Sequence, residues 1–340
     1  MDSSHLLSVR NLKVHFPIKG GLFEEKRVVK AVDGVSFDLA SGETLGIVGE
    51  SGCGKSTLGR AVLQLIPPSD GKAVWIGRDL SAAGKRELRG LRREMQIIFQ
   101  DPLAALDPRM TVGTLIAEPL DTFEKKLSGK KKEERVIEAM SRVGLPVHFI
   151  DRYPHELSGG QCQRIGIARA MVLKPKLIVC DEPVSALDVS IQAQIVNLLQ
   201  KLQAEDNLAL MFISHNLAVV RRISDRVMVL YLGRVAEIGS REAIYKHPLH
   251  PYTKALLSAV PVPDPDIERG KARIRLTGDL PSPINPPSGC VFRTRCPLAI
   301  ERCAEEVPAL ETVTGDQKVA CHRWRESAET LPNPIAPLQP

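Results

Sequence analysis

Residues 8–17 (SVRNLKVHFP) and 29–39 (VKAVDGVSFDL) alternate apolar and polar positions with a period of two. Each is therefore expected to be a strand with one face on a core. The connection between them, IKGGLFEEKR, has no such period. Next, ETLGIVGESGCGKSTLGRAVLQLI passes from an apolar run through glycines into a helical period, which predicts strand, loop and helix in succession. Residues 73–100 predict short strands around a basic helix, ending on MQIIFQ. From about 101 to 172 the pattern is mainly helical, with Gly and Pro punctuation. LIVCDEP and LALMFISHN are short β-rich runs on either side of the helical stretch SIQAQIVNLLQKLQAE. That alternation predicts βαβ units on a parallel sheet, and so an α/β fold.

The character changes after residues 226–240. Residues 247–287 are proline-rich and read as linker and turn, and a cysteine-containing segment follows. The expected boundaries are a main domain over 1–245, a linker over 246–287, a four-cysteine segment over 288–325 and a structureless tail over 326–340. A net charge of +6 over 340 residues is too mild to imply a nucleic-acid partner. The basic runs 85–94 and 124–135 also contain acids, so they read as solvated helix faces. The first ten residues lack the charged and apolar regions of an export signal, and no run approaches the roughly 18 apolar residues that span a bilayer. A cytosolic chain is expected, in which cysteines stay thiols unless a metal claims them.

GESGCGKS, residues 49–56, fits G-x-x-x-x-G-K-[ST] between an expected strand and helix. Its glycines let backbone N–H groups cradle phosphates at a helix N-terminus. The phosphate-binding set is Gly49, Glu50, Ser51, Gly52, Cys53, Gly54, Lys55, Ser56 and Thr57. Lys55 is expected on the β- and γ-phosphates and Ser56 on Mg²⁺, while Cys53 is expected to be a small loop residue. In LIVCDEP, four apolar residues put Asp181 and Glu182 at the C-terminal end of a strand, where parallel sheets bind ligands. Asp181 is expected to hold Mg²⁺ through water, and Glu182 to orient or deprotonate the attacking water. Cys180 on that strand reads as core.

LSGGQ (Leu157, Ser158, Gly159, Gly160, Gln161), followed by CQRIGIARAMVLKPK and LIVCDEP, closely resembles the ATPase subunits of ABC transporters. The resemblance covers roughly residues 8–240. It implies a P-loop ABC-type ATPase domain, a mixed-sheet core with a helical signature subdomain at about 101–172, plus a small C-terminal Cys-containing domain. It also implies that two subunits sandwich two ATP molecules, the signature of one capping the ATP of the other. A Ser-Gly-Gly turn that opens a helix suits an anionic γ-phosphate. By the same resemblance Gln100 reaches Mg²⁺ and the water, and its loop couples to the membrane domain. Ser185, Ala186, Leu187 and Asp188 form the loop that communicates across the dimer, and His215 is the switch histidine. Asn216 follows it where the family usually has Asp. Phe16 is the expected adenine-stacking aromatic, with Phe23 as competitor.

QDPLAALDPRMTVG (100–113), RYPHELSGGQCQRIGIARA, DEPVSALDVSIQAQIVNLLQ and HPLHPYTKALLSAVP resemble the F-type ATPase subunit of dipeptide and oligopeptide importers. That branch implies a D-type ATPase partner, two integral-membrane permease subunits and, indirectly, a peptide-binding protein, at the cytoplasmic face of the membrane. Nickel importers are the alternative cargo class. Soluble ABC ATPases of DNA repair or translation are the alternative function class, disfavoured by the single uninterrupted domain and the permease-facing segment after Gln100.

Cys290, Cys296, Cys303 and Cys321 have spacings C-x5-C-x6-C-x17-C. Four thiolates suit a tetrahedral S4 site, zinc or a [4Fe–4S] cluster, although neither the tight C-x2–4-C pair of zinc sites nor the bacterial ferredoxin run is present. Wide spacing suits the larger cluster, and the resemblance to peptide-importer ATPases implies an iron–sulfur cluster there. A structural staple for a small tail is expected rather than a redox role. His322 reads as a surface residue.

Overall fold

The structure, a computed structural model, describes residues 5–18, 27–261, 264–270 and 272–333. In chain order its elements begin with β1 (Leu7–Ile18), β2 (Arg27–Leu39), β3 (Thr44–Val48), α1 (Lys55–Val62), β4 (Asp70–Trp75), β5 (Arg78–Asp79), α2 (Lys85–Leu91) and β6 (Met95–Ile98). They continue with α3 (Val112–Phe123), α4 (Gly129–Arg142), α5 (Gly159–Met171), β7 (Leu177–Asp181), α6 (Val189–Asp206), β8 (Ala209–Ile213) and α7 (Leu217–Ile223). Beyond these lie β9 (Arg226–Tyr231), β10 (Arg234–Ser240), α8 (Arg241–Lys246), α9 (Pro251–Ser258), α10 (Pro265–Gly270), α11 (Arg302–Glu305), β11 (Glu311–Thr314), β12 (Gln317–Val319) and α12 (Trp324–Thr330). The chain forms two compact units, each assembled from separated segments. The first comprises Met1–Leu7, Leu39–Thr44 and Trp75–Ser214, and the second Ser8–Asp38, Leu45–Val74 and His215–Pro340.

In the first unit β6, β7 and β8 run parallel, with Met95 opposite Leu177 and Asp181 opposite Ile213. Every residue of β7 and β8 is buried. A parallel strand covered on both faces needs a continuous apolar run, which is why LIVCD and ALMFI show no alternation. Helix α3 packs on α4 and α5, and α5 also meets β6 and α6. Val112, Leu115, Ile116 and Leu120 of α3 supply its buried stripe, while α4 buries only Val136, Ala139 and Met140. The lysines Lys130 and Lys131 of α4 are exposed, and α2 has no buried residue, so both basic runs are solvated helix faces.

In the second unit β1 lies between β2 and β4. β3 is parallel to β9, with Leu45 opposite Arg226 and Val48 opposite Val229. β9 returns as antiparallel β10 through Leu232 and Gly233, both at positive φ. That is the backbone a two-residue hairpin turn with matching twist requires. β12 then pairs antiparallel with β10, Glu237 opposite Val319, and β11 pairs with β12.

Two expectations for the C-terminal part need correction. The stretch read as a proline-rich linker contains α9, in which seven of eight residues are buried. Pro251 occupies its first turn, where a missing N–H costs nothing, and the His250 side chain accepts the Tyr252 N–H at 3.0 Å. The tail read as structureless from 326 begins inside α12. There Ser327 is buried, and the buried Lys254 ammonium donates to the carbonyl of Ser327 and to that of Leu331 at 2.8 Å, satisfying a helix C-terminus. The buried Glu237 carboxylate accepts from the N–H groups of Leu249 (2.9 Å) and His250 (3.0 Å) and from Gln317 Nε2 (2.8 Å). These bonds tie β10, the start of α9 and β12 together. Residues 334–340 lie outside the described residues.

Candidate functional site

The phosphate loop runs from the end of β3 to the start of α1. Gly54 has φ of +101°, and a Cβ placed there would lie 2.0 Å from the Ala31 carbonyl oxygen. A Cβ on Gly49 would lie 2.2 Å from the Leu230 carbonyl oxygen. Backbone packed against backbone at both ends therefore admits only glycine. Between them Ser51 is exposed, a Cβ placed on Gly52 would meet nothing within 4 Å, and Ser56 and Thr57 enter α1. Lys55 is buried, and its ammonium donates to the carbonyls of Gly49 (2.9 Å) and Glu50 (3.0 Å), so it curls back over the loop. Burial pushes the Cys53 thiol up, as it does Cys180 on β7, so neither offers a thiolate.

Glu50 is held from an unexpected direction. Its backbone N–H donates to the Tyr252 hydroxyl at 2.9 Å, and its carboxylate accepts both terminal nitrogens of Arg295, at 2.6 and 3.1 Å. Arg295 immediately precedes Cys296. Phe292, fully buried, packs against Tyr231 (ring centroids 5.2 Å apart), Tyr252 (5.4 Å) and His250 (5.6 Å). Sequence reading missed Arg295 and Tyr252, because no local pattern links them to a loop some two hundred positions earlier.

In the first unit the end of β7 carries Asp181, buried, and Glu182, at φ +49°. The Glu182 N–H donates to the Ile213 carbonyl at 3.0 Å, and Gln100 Nε2 donates to Glu182 Oε2 at 3.3 Å. A left-handed backbone is uncommon outside glycine, and it recurs at functional positions. The Ser185 hydroxyl donates to the Glu182 carbonyl at 3.0 Å. Ala186 and Asp188 are exposed, Leu187 is half-buried, and Asp188 precedes α6 as its N-cap.

Ser158 is the N-cap of α5. Its hydroxyl accepts the Gln161 N–H at 3.3 Å while its own N–H donates to Gln161 Oε1 at 2.8 Å, a reciprocal capping box. Ser158 and Gly159 are exposed, and Leu157 is half-buried. A Cβ on Gly160 would stand 2.7 Å from Ile191 Cγ2, so glycine there permits close packing of α5 on α6.

His215 is exposed. Asn216 caps α7, its Oδ1 accepting from Ala218 N–H (3.0 Å) and Val219 N–H (3.3 Å). Aspartate would cap equally well, which accounts for the departure from the family pattern. Phe16 lies on β1, 40% exposed, and Phe23 falls outside the described residues.

All four C-terminal cysteines are free thiols. Cys303 is buried and the others are half-buried. Burial pushes Cys290 up, Cys296 up to about 11 and Cys321 up to about 12, and in each case neighbouring thiols of the same set add to the effect. The Cys290 N–H donates to the Cys303 carbonyl at 2.8 Å, and the Arg323 N–H donates to Cys321 Sγ at 3.4 Å. Among the described residues no three His, Cys, Asp or Glu side chains are gathered to hold a metal ion, these four included. The geometry of the described residues therefore supports neither the expected [4Fe–4S] cluster nor its zinc alternative: the four sulfurs are not gathered around a common point. His322 is half-buried, its Nε2 3.1 Å from the Glu306 carbonyl oxygen. No helix among the described residues is long and apolar enough to cross a membrane.

A family model described as ABC transporter matches residues 32–185, and one described as oligopeptide/dipeptide transporter, C-terminal region, matches residues 236–303. The chain is 61% identical to the oligopeptide transport ATP-binding protein OppF of Salmonella typhimurium, over 90% of this chain and 92% of that one. It is 53% identical to the oligopeptide transport ATP-binding protein AppF of Bacillus subtilis, over 94% of this chain and 97% of that one. Among solved structures it resembles a dimeric ATP-binding cassette in a post-hydrolysis state bound to ADP and phosphate. The TM-score is 0.62 and the identity 30%, covering 69% of this chain and 98% of that one.

Proposed function

The chain belongs to the ATP-binding subunits of ABC transporters, in the oligopeptide-importer branch, and from that premise we propose that it hydrolyses ATP to drive uptake of dipeptides and oligopeptides. One observation carries the reading. The likeness to oligopeptide transport subunits runs through the C-terminal region 236–303 as well as the ATPase motifs, over nine-tenths of the chain.

Each residue then has a defined task. The loop N–H groups of Gly49 to Gly54 and the N-terminus of α1 bind the phosphates, and the Lys55 ammonium exchanges its loop carbonyls for phosphate oxygens. Ser56, Asp181 and Gln100 are the oxygen donors suited to Mg²⁺, which when bound neutralises phosphate charge. Glu182 accepts the proton of the attacking water, with Gln100 orienting its carboxylate. His215 contacts the γ-phosphate, and Phe16 stacks on adenine. Ser158, Gly159 and Gly160 present the exposed N-terminus of α5 to the ATP held by a partner cassette, with Leu157 and Gln161 shaping the turn.

Exposed apolar side chains beside these motifs support partner surfaces. Val189, next to Asp188, is 82% exposed, and Leu103, three residues beyond Gln100, is 53% exposed. The loop at Ser185 to Asp188 faces a second, D-type ATPase subunit, and the segment after Gln100 faces two permease subunits. A peptide-binding protein delivers cargo to those permeases, and this subunit works at the cytoplasmic face of the membrane.

The four cysteines are assigned to a [4Fe–4S] cluster rather than to zinc. The support is the all-cysteine donor set within one segment and the likeness of the C-terminal region to oligopeptide transporters, not a gathering of the sulfurs, which is absent among the described residues. Such a cluster would supply four-point cross-linking of the segment 290–321. Equal iron and acid-labile sulfide in anaerobically purified protein supports it; one zinc per chain without iron overturns it.

The function is tested by reconstituting the chain with its permeases, D-type subunit and binding protein in vesicles. ATP-dependent peptide accumulation is expected. Uptake of nickel in place of peptide, or ATPase activity indifferent to the permeases, would sink the reading.

A further inference from the structure

We propose that Arg295 is a positioning residue for the phosphate loop, through which the C-terminal cysteine segment sets the affinity for nucleotide. The inference rests on the loop at 49–57 binding the phosphates of ATP. An anion cradle that contains a carboxylate is electrostatically awkward. Glu50 brings a negative charge into the loop that must receive a polyanion, and like charges at close range oppose binding.

Arg295 answers that problem in two ways. Its guanidinium engages both Glu50 oxygens, at 2.6 and 3.1 Å, so the charge is cancelled by a fork rather than by a mobile point charge. The Arg295 side chain is only 10% exposed, which limits screening by solvent. The pair also fixes the loop's direction, because the Glu50 N–H is held at the same time by the Tyr252 hydroxyl at 2.9 Å. Side chain and backbone of one loop residue are thus held from two C-terminal elements. Both are anchored on one buried core, since Tyr252 and Phe292 pack together three residues from Arg295.

The cysteines place the arginine. Arg295 lies between Cys290 and Cys296, and its N–H donates to the Phe292 carbonyl at 3.0 Å in the turn that Cys290 opens. Any change that unravels this turn withdraws the guanidinium and leaves the Glu50 carboxylate in the phosphate loop without its counter-charge. The cysteine segment therefore acts on the nucleotide site through one ion pair, without touching nucleotide.

The test is a double-mutant cycle on the full chain, reading the Kd for MgATP by calorimetry and the melting temperature without nucleotide. Arg295→Ala is expected to weaken MgATP about tenfold or more. Arg295→Lys, which keeps charge and loses the fork, should fall between. The double variant Arg295→Ala with Glu50→Gln should recover most of the affinity lost in Arg295→Ala, because the unpaired carboxylate is gone. A role confined to stability would lower the melting temperature in both Arg295→Ala variants without that recovery. The proposal is overturned if Arg295→Ala binds MgATP within twofold of the unaltered chain, or if the double variant is as weak as Arg295→Ala alone. Lys55→Ala separates the premise from the inference. If it binds MgATP undiminished, the phosphate-loop reading itself fails; if it loses MgATP while Arg295→Ala does not, only the inference fails.

Discussion

Gln100 donates its side-chain N–H to the Glu182 carboxylate at 3.3 Å, the two residues lying just beyond the ends of the paired strands β6 and β7. The carboxylate is held by its neighbour while its own backbone sits at φ +49°. Glu182→Gln keeps the shape and removes the basicity. Turnover should fall about 10²- to 10⁴-fold with nucleotide affinity preserved. Phosphate release together with a nucleotide Kd checks both halves.

Gly54→Ala should be far worse than an ordinary glycine substitution. The new Cβ meets a backbone carbonyl at 2.0 Å at a φ of +101°, so strand β2 or the loop must move. A loss of about 2–3 kcal/mol and of MgATP binding is expected, read by denaturant unfolding and calorimetry.

Asn216 separates capping from chemistry. Asn216→Asp should change stability by no more than about 0.5 kcal/mol, since its oxygen still accepts the Ala218 and Val219 N–H groups. Asn216→Ala should cost about 1 kcal/mol. Denaturant titration of the three proteins decides it.

His250 makes the C-terminal part acid-sensitive. Burial pushes its pKa down to about 3, and its neutral Nδ1 accepts the Tyr252 N–H. Above the unfolded value of about 6.5 neither state is protonated and the residue contributes no pH dependence. Below it the unfolded chain binds a proton that the folded chain refuses. Stability should fall by up to about 1.4 kcal/mol per pH unit between about 6.5 and 3. His250→Asn, which retains an acceptor without titrating, should flatten that slope in unfolding curves measured across the window.

Cysteine substitution tests how the C-terminal segment is held. On the proposed cluster reading, Cys321→Ser should abolish iron and sulfide binding in anaerobically purified protein and make residues 290–321 more susceptible to protease. Unchanged metal content would remove Cys321 from the ligand set.

Much of this protein is written in short-range pattern. The strands at 8–17 and 29–39, the helix at 190–205 and the apolar runs of β7 and β8 follow from side-chain period and burial, which a few neighbouring residues determine. The motifs at 49–57, 157–161 and 181–182 are legible for the same reason, because phosphate cradles and helix caps are built from consecutive backbone groups. The proline run at 247–260 misled, since proline in the first turn of a buried helix leaves the same trace as proline in a linker. Only the tertiary structure decided that β11 and β12 extend the sheet at β10, that Lys254 closes α12, and that Arg295 grips Glu50 across 245 positions of sequence. Those contacts join residues whose local patterns carry no trace of each other, because each side chain would look like an ordinary surface charge until folding brings its partner within reach.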